Sequence, residues 1–126
     1  MRLIYTDIKL RNPMNGLPAV EIKAKADTGA TMLVIPGAIA EKFRFPLLRK
    51  QVVKYANEEV AERDVVWGVE IELCGRKGVF EAVVEPKKEY VLVGAVVMES
   101  LDLLASPSNR SVYPDPRSTQ PMAEIE

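Results

Sequence analysis

Apolar and polar residues alternate most regularly from Ala19 to Ala26, with Val20, Ile22, Ala24 and Ala26 on one side and Glu21, Lys23 and Lys25 on the other. A period of two predicts a half-buried strand. Arg2 to Leu10 predicts another, with Ile4, Ile8 and Leu10 on one face and Thr6 among them. The turn cluster from Asn12 to Pro18 joins the two as a hairpin. Met32 to Ile35 is a continuous apolar run, too short for a helix, and predicts a buried strand. Pro36 to Phe43 predicts a short helix, with proline near its start where a missing N–H does no harm, and Phe45-Pro46 breaks it.

Gln51 to Tyr55 and Val60 to Val66 predict two strands that protrude around a polar tip, Ala56-Asn57-Glu58-Glu59. Gly68 to Leu73 and Val79 to Val84 predict two more, around the turn Cys74-Gly75-Arg76-Lys77-Gly78. Tyr90 to Val93 is wholly apolar, as a strand covered on both faces would be, and Gly94 ends it. Ala95 to Leu104 places Val97, Met98, Leu101 and Leu104 at helical spacing, with Pro107 as the stop. Arg110 to Tyr113 predicts a last strand, and the Pro- and Ser-containing stretch after it a flexible tail. The expected architecture is mostly β: one lobe over residues 1–113, with a closed, barrel-like sheet and one or two short helices, then a tail over residues 114–126.

Composition removes several kinds of chemistry. The 126 residues suit one domain, and 17 basic against 18 acidic residues leave no basic stripe for nucleic acid. No apolar run reaches the ~20 residues of a membrane span. The N-terminus meets charge at Arg2 and Asp7, too early for a secretory signal. A single cysteine, Cys74, excludes an internal disulfide and fits a reducing, cytoplasmic setting. There is no histidine, so neither a Ser-His-Asp nor a Cys-His arrangement nor a histidine metal site can form within the chain. No metal and no organic cofactor is expected. Hydrolytic chemistry would rest on carboxylates, lysines or hydroxyls.

One carboxylate stands out. Asp27-Thr28-Gly29-Ala30 places an acid in a small-residue turn directly after the best strand. Asp in a loop before Thr-Gly is also a common turn former, and that reading needs no chemistry. A second segment, Val91-Leu92-Val93-Gly94 followed by a helix, changes the balance. The two in this order, on a chain of this length, resemble the retropepsin-like (clan AA) single-lobe aspartic proteases from Arg2 to Tyr113.

The resemblance implies a closed acid-protease lobe, active as a symmetric homodimer with one Asp27 from each copy. It implies an aspartic endopeptidase that hydrolyses peptide or protein substrates through a water activated by the Asp27/Asp27 dyad. Thr28 would fix the loops across the axis, and Gly29 would let backbone and substrate approach the acid. Ala30 stands where some members carry serine, and without that hydroxyl the dyad would be easier to protonate. By position, Tyr55, Ala56, Asn57 and Glu58 correspond to the flap that closes over a peptide. This tip has no glycine and carries two acids, a departure from the retroviral pattern; Asn57 could take the left-handed position of a tight turn. The departure supports an alternative, a non-catalytic peptide-binding or dimerisation module on the same fold.

Overall fold

The computed structural model of the chain describes residues 4–106 and 108–125. Arg2 and Leu3, within the first expected strand, and Pro107, the expected helix stop, lie outside them. β1 (Ile4–Arg11) and β2 (Val20–Ala26) form the expected hairpin, antiparallel, with Ile4 opposite Ala26 and Leu10 opposite Val20. Their alternation turns Ile8, Leu10 and Ala24 into the core. The hairpin turn also has a structural task. Asn12 and Asn15 donate their side-chain amides to the Phe43 carbonyl at 2.9 and 2.7 Å. Phe43 ends α1 (Gly37–Phe43), so two asparagines satisfy a carbonyl that the helix leaves open.

The apolar runs become short inner strands with one face buried, at Leu33, Ile35, Val91 and Val93, while Val34 and Leu92 on the other face stay half-exposed. β3 (Leu33–Pro36) lies parallel to β6 (Arg76–Glu85) and antiparallel to β7 (Val91–Val93). β5 (Val60–Leu73) pairs with β6 and, at its far end, with β1, where Leu10 faces Ile71. The order β1-β2-β7-β3-β6-β5 thus returns to β1 and closes a barrel of six strands. Closure removes sheet edges. It also gives one apolar interior, in which Leu10, Ile35, Phe43, Val69, Ile71 and Val91 are fully buried. β4 (Leu47–Lys54) stays outside the ring and pairs only with β5.

Four elements differ from the sequence expectation. β6 starts at Arg76 rather than Val79, so the turn before it is only Cys74-Gly75 and not the expected five residues. β4 starts at Leu47 rather than Gln51, because its register to β5 shifts between Leu47 and Arg49 and leaves Leu47 and Leu48 exposed. The two strands expected at Val60 to Val66 and Gly68 to Leu73 are one strand of 14 residues. Gly68, at φ +86°, puts a bulge between Val66 and Val69. The bulge bends the strand, so its first part serves the β4 hairpin and its second the barrel.

The last helix is shorter than expected. α2 spans Ala95–Ser100, and the chain then turns through Asp102 at φ +49°. Leu103–Ser106 is β8, antiparallel to β9 (Ser111–Pro114). Leu101, Leu103 and Leu104 fit a helical and a strand period equally, and pairing with β9 decides between them.

The buried Arg76 ties this end together. It donates to the carbonyls of Leu101 and Asp102, both at 2.9 Å, and to the Ser118 carbonyl at 2.6 Å. Met122 N–H reaches Asp102 Oδ2 at 2.9 Å. Among the described residues no helix is long and apolar enough to cross a membrane.

Candidate active site

Parallel pairing of β2 with β7 sets Ala26 beside Val93, and the next residue, Asp27, donates its N–H to the Val93 carbonyl at 3.0 Å. The chain then turns tightly. Gly29 N–H donates to Asp27 Oδ1 at 2.9 Å, and Ala30 N–H to the Asp27 carbonyl at 3.1 Å. The loop next meets the start of α2. Ala95 N–H donates to the Ala30 carbonyl at 2.8 Å, and Val96 N–H to the Thr31 carbonyl at 3.0 Å. Helix N–H groups that lack partners within α2 are satisfied by the Asp27 loop.

Gly94 sits between the two segments. A Cβ there would stand 2.7 Å from the Ala30 carbonyl oxygen and 2.8 Å from that of Met32. Only glycine allows this approach. The two motifs singled out in the sequence are therefore one interlocked unit.

The Asp27 side chain is half-buried, with Thr28 and Gly29 exposed beside it. No ion pair among the described residues reaches its carboxylate. Two clefts meet near the loop. One, of about 560 Å³, is lined by Asp27 and Thr28 together with apolar side chains including Ile4, Met98, Leu103 and Leu104. The other, of about 400 Å³, runs from Gly29, Ala30 and Met32 over Val34, Val83 and Leu92 to β4 and Tyr55. Its far end is polar, with Glu85 and Lys88.

Of the expected tip residues, Tyr55 alone lines this cleft. Ala56, Asn57 and Glu58 are exposed at the end of the β4–β5 hairpin. The left-handed residue there is Glu58, at φ +71°, and not Asn57. Asn57 Oδ1 instead accepts the Glu59 N–H at 3.1 Å, so the asparagine shapes the turn with its side chain.

Sequence reasoning missed Glu85. It accepts the Tyr55 hydroxyl at 2.8 Å and the Arg63 guanidinium. It also missed Leu92, whose strand reads as uniformly apolar although its middle residue is half-exposed and faces the cleft. A charged residue directly after the apolar run Ala82-Val83-Val84 is the available hint for Glu85.

The closed barrel and the interlocked glycine define a retropepsin-like fold. Solved structures agree. A retropepsin-like aspartic protease from Rickettsia conorii matches with a TM-score of 0.62 at 19% identity, over 82% of this chain and 76% of that one. The simian foamy virus protease matches with a TM-score of 0.52 at 20% identity, over 74% of this chain and 91% of that one. A foamy viral protease-reverse transcriptase, solved with an RNA/DNA hybrid, matches with a TM-score of 0.59 at 16% identity; 98% of this chain covers 13% of that much longer one. No protein-family model and no curated protein sequence matches the chain.

Proposed function

We propose that the protein is an aspartic endopeptidase that acts as a homodimer. The observation that carries this is Asp27, held by main-chain bonds at the meeting point of two clefts and locked by Gly94. Attack of water on a peptide carbonyl needs a base for the water and an acid for the carbonyl oxygen. One Asp27 cannot be both at once. Two carboxylates about 3 Å apart share a single proton and so supply both states. A two-fold axis through the Asp27 face provides the second copy. The charged Asp27 takes a proton from water as the hydroxyl adds to the carbonyl carbon, and the neutral one donates its proton to the carbonyl oxygen. The first Asp27 then passes its proton to the amide nitrogen, the C–N bond breaks, and the second takes back a hydroxyl proton as the acid product forms.

The remaining residues take roles around this centre. Thr28 braces the two loops across the axis, Gly29 and Ala30 border the peptide, and the β4–β5 hairpin is the flap, with Tyr55 on its underside and Ala56, Asn57 and Glu58 at its tip. The apolar floor at Val34, Val83 and Leu92 suits an apolar side chain of a peptide or protein substrate. Neither metal nor organic cofactor enters the scheme. The exposed lone thiol of Cys74 suits a reducing compartment such as the cytoplasm.

Asp27→Asn tests the reading. It should abolish cleavage of a peptide library, a loss of at least about 10³-fold in kcat, since both acid and base are removed. The dimer in light scattering and the melting temperature should stay near wild type. Retained cleavage would end the proposal. A wild-type dimer that binds peptides and cleaves none from acidic to neutral pH would establish the non-catalytic binding module instead, the reading to which the glycine-free, acidic tip points.

A further inference from the structure

β4 has no sheet partner except β5, and β6 reaches β5 only from Val65 onward. From Lys50 to Asp64 the hairpin is a ribbon of two strands, paired only with itself. Such a ribbon is marginal in water. Its height above the cleft is therefore set by side chains that connect it to the barrel. One carboxylate grips both of its legs. Glu85, at the end of β6, accepts the Tyr55 hydroxyl on both oxygens at 2.8 Å. Arg63, on the return strand, donates its Nε to the same carboxylate.

The chemistry favours a firm hold. Bonds to an ionised acceptor are about twice as strong as neutral ones. Burial pushes the Tyr55 phenol above its ordinary value, and Glu85 adds to this, so the hydroxyl stays a donor. The exposed pairs Lys50–Asp64 and Lys54–Glu58 lie within the ribbon and do not set its height.

We propose that Glu85 is a positioning residue that holds the β4–β5 hairpin over the cleft, with Tyr55 as the strut and Arg63 as the counter-charge. Its consequence for catalysis rests on the endopeptidase reading, in which the hairpin closes on a peptide. A hairpin already held near its working height loses less freedom when substrate binds. Because Glu85 is engaged inside the fold, a basic peptide side chain would have to displace Tyr55 or Arg63 to reach it.

The test is amide hydrogen exchange on the full chain carrying Asp27→Asn, alone and with Tyr55→Phe, Glu85→Gln or both. Tyr55→Phe removes one oxygen and keeps the ring, and melting curves check that each variant folds. Each single change should speed exchange at Tyr55, Glu58 and the adjoining β4 and β5 amides about tenfold, while the Asp27 loop stays unchanged. The double variant should go little further than either single one, because both break the same link. Unchanged exchange, or fully additive effects, would overturn the proposal. With Asp27 intact, Tyr55→Phe should raise KM more than it lowers kcat, and the reverse split would also count against it. If the wild type cleaves no peptide, the endopeptidase reading fails by itself, and the exchange data still decide the role of Glu85.

Discussion

The Asp27 loop and the β4–β5 hairpin border the same cleft but are held by different forces. The loop is fixed by main-chain bonds to Val93, Ala95 and Val96, and by a close approach that a single methyl group would block. The hairpin is tied to the barrel by side chains: Tyr55 and Arg63 to Glu85, Arg49 to Glu81, and Gln51 to Met32. Main-chain packing has few alternatives, so it gives one geometry. Side-chain bonds on a ribbon open locally with little disturbance to the core. Under the proposed endopeptidase function, the first kind of attachment would hold the acid still and the second would let the hairpin admit a peptide.

The contrast is broken most severely at Gly94. Gly94→Ala drives a Cβ into three main-chain atoms at 2.7 to 2.8 Å, none of which can rotate away. We expect a loss of about 3 kcal/mol, the upper end for overpacking. Urea unfolding would read it as a lower midpoint with an unchanged slope. A loss below about 0.5 kcal/mol, the usual range for a harmless surface change, would mean that the loop and α2 are not locked together as described.

The second change acts where the two regimes meet along one strand. Gly68 has open space around it but a φ of +86°, so Gly68→Ala meets no neighbour and still strains the bend. The expected cost is about 1 kcal/mol, from the left-handed backbone alone. Exchange should rise in the hairpin half of β5, from Val60 to Val66, more than in the barrel half. An even rise along all of β5 would show that the bulge does not separate the two parts.

This division also explains what the sequence made legible. Strands with one buried face announce themselves by alternation, as Val20 to Ala26 does. The Asp27 turn and Val91 to Gly94 could be read as local patterns, and their meeting follows once β2 and β7 pair. Long-range side-chain links leave no such trace. Tyr55 and Arg63 lie 30 and 22 positions before Glu85, and nothing local distinguishes any of the three from a solvated side chain. Arg76 sits in a turn-like string, yet is buried because Leu101, Asp102 and Ser118 bring carbonyls to it. The chain after α2 leaves its helical period for a related reason: β8 has its partner, β9, later in the chain, and pairing decides what periodicity cannot.

Acid provides the gentlest way to sharpen the comparison. Arg49 donates to both oxygens of Glu81, at 3.1 and 2.8 Å, and ties the base of the hairpin to β6. That hydrogen-bonded guanidinium holds the Glu81 carboxyl below its ordinary 4.5. The unfolded chain therefore takes up this proton first as pH falls. The link contributes fully above the ordinary value and is lost as pH drops through the depressed folded one. The pair is partly exposed, so the effect is small. Glu81→Gln should lower the urea midpoint slightly near neutral pH and by less at acidic pH, where the wild type has lost the link too. Its hairpin amides, but not those of the Asp27 loop, should show the same convergence. Equal convergence in both regions would mean that the hairpin and the loop respond as one unit, and that the distinction between main-chain and side-chain attachment has no mechanical meaning.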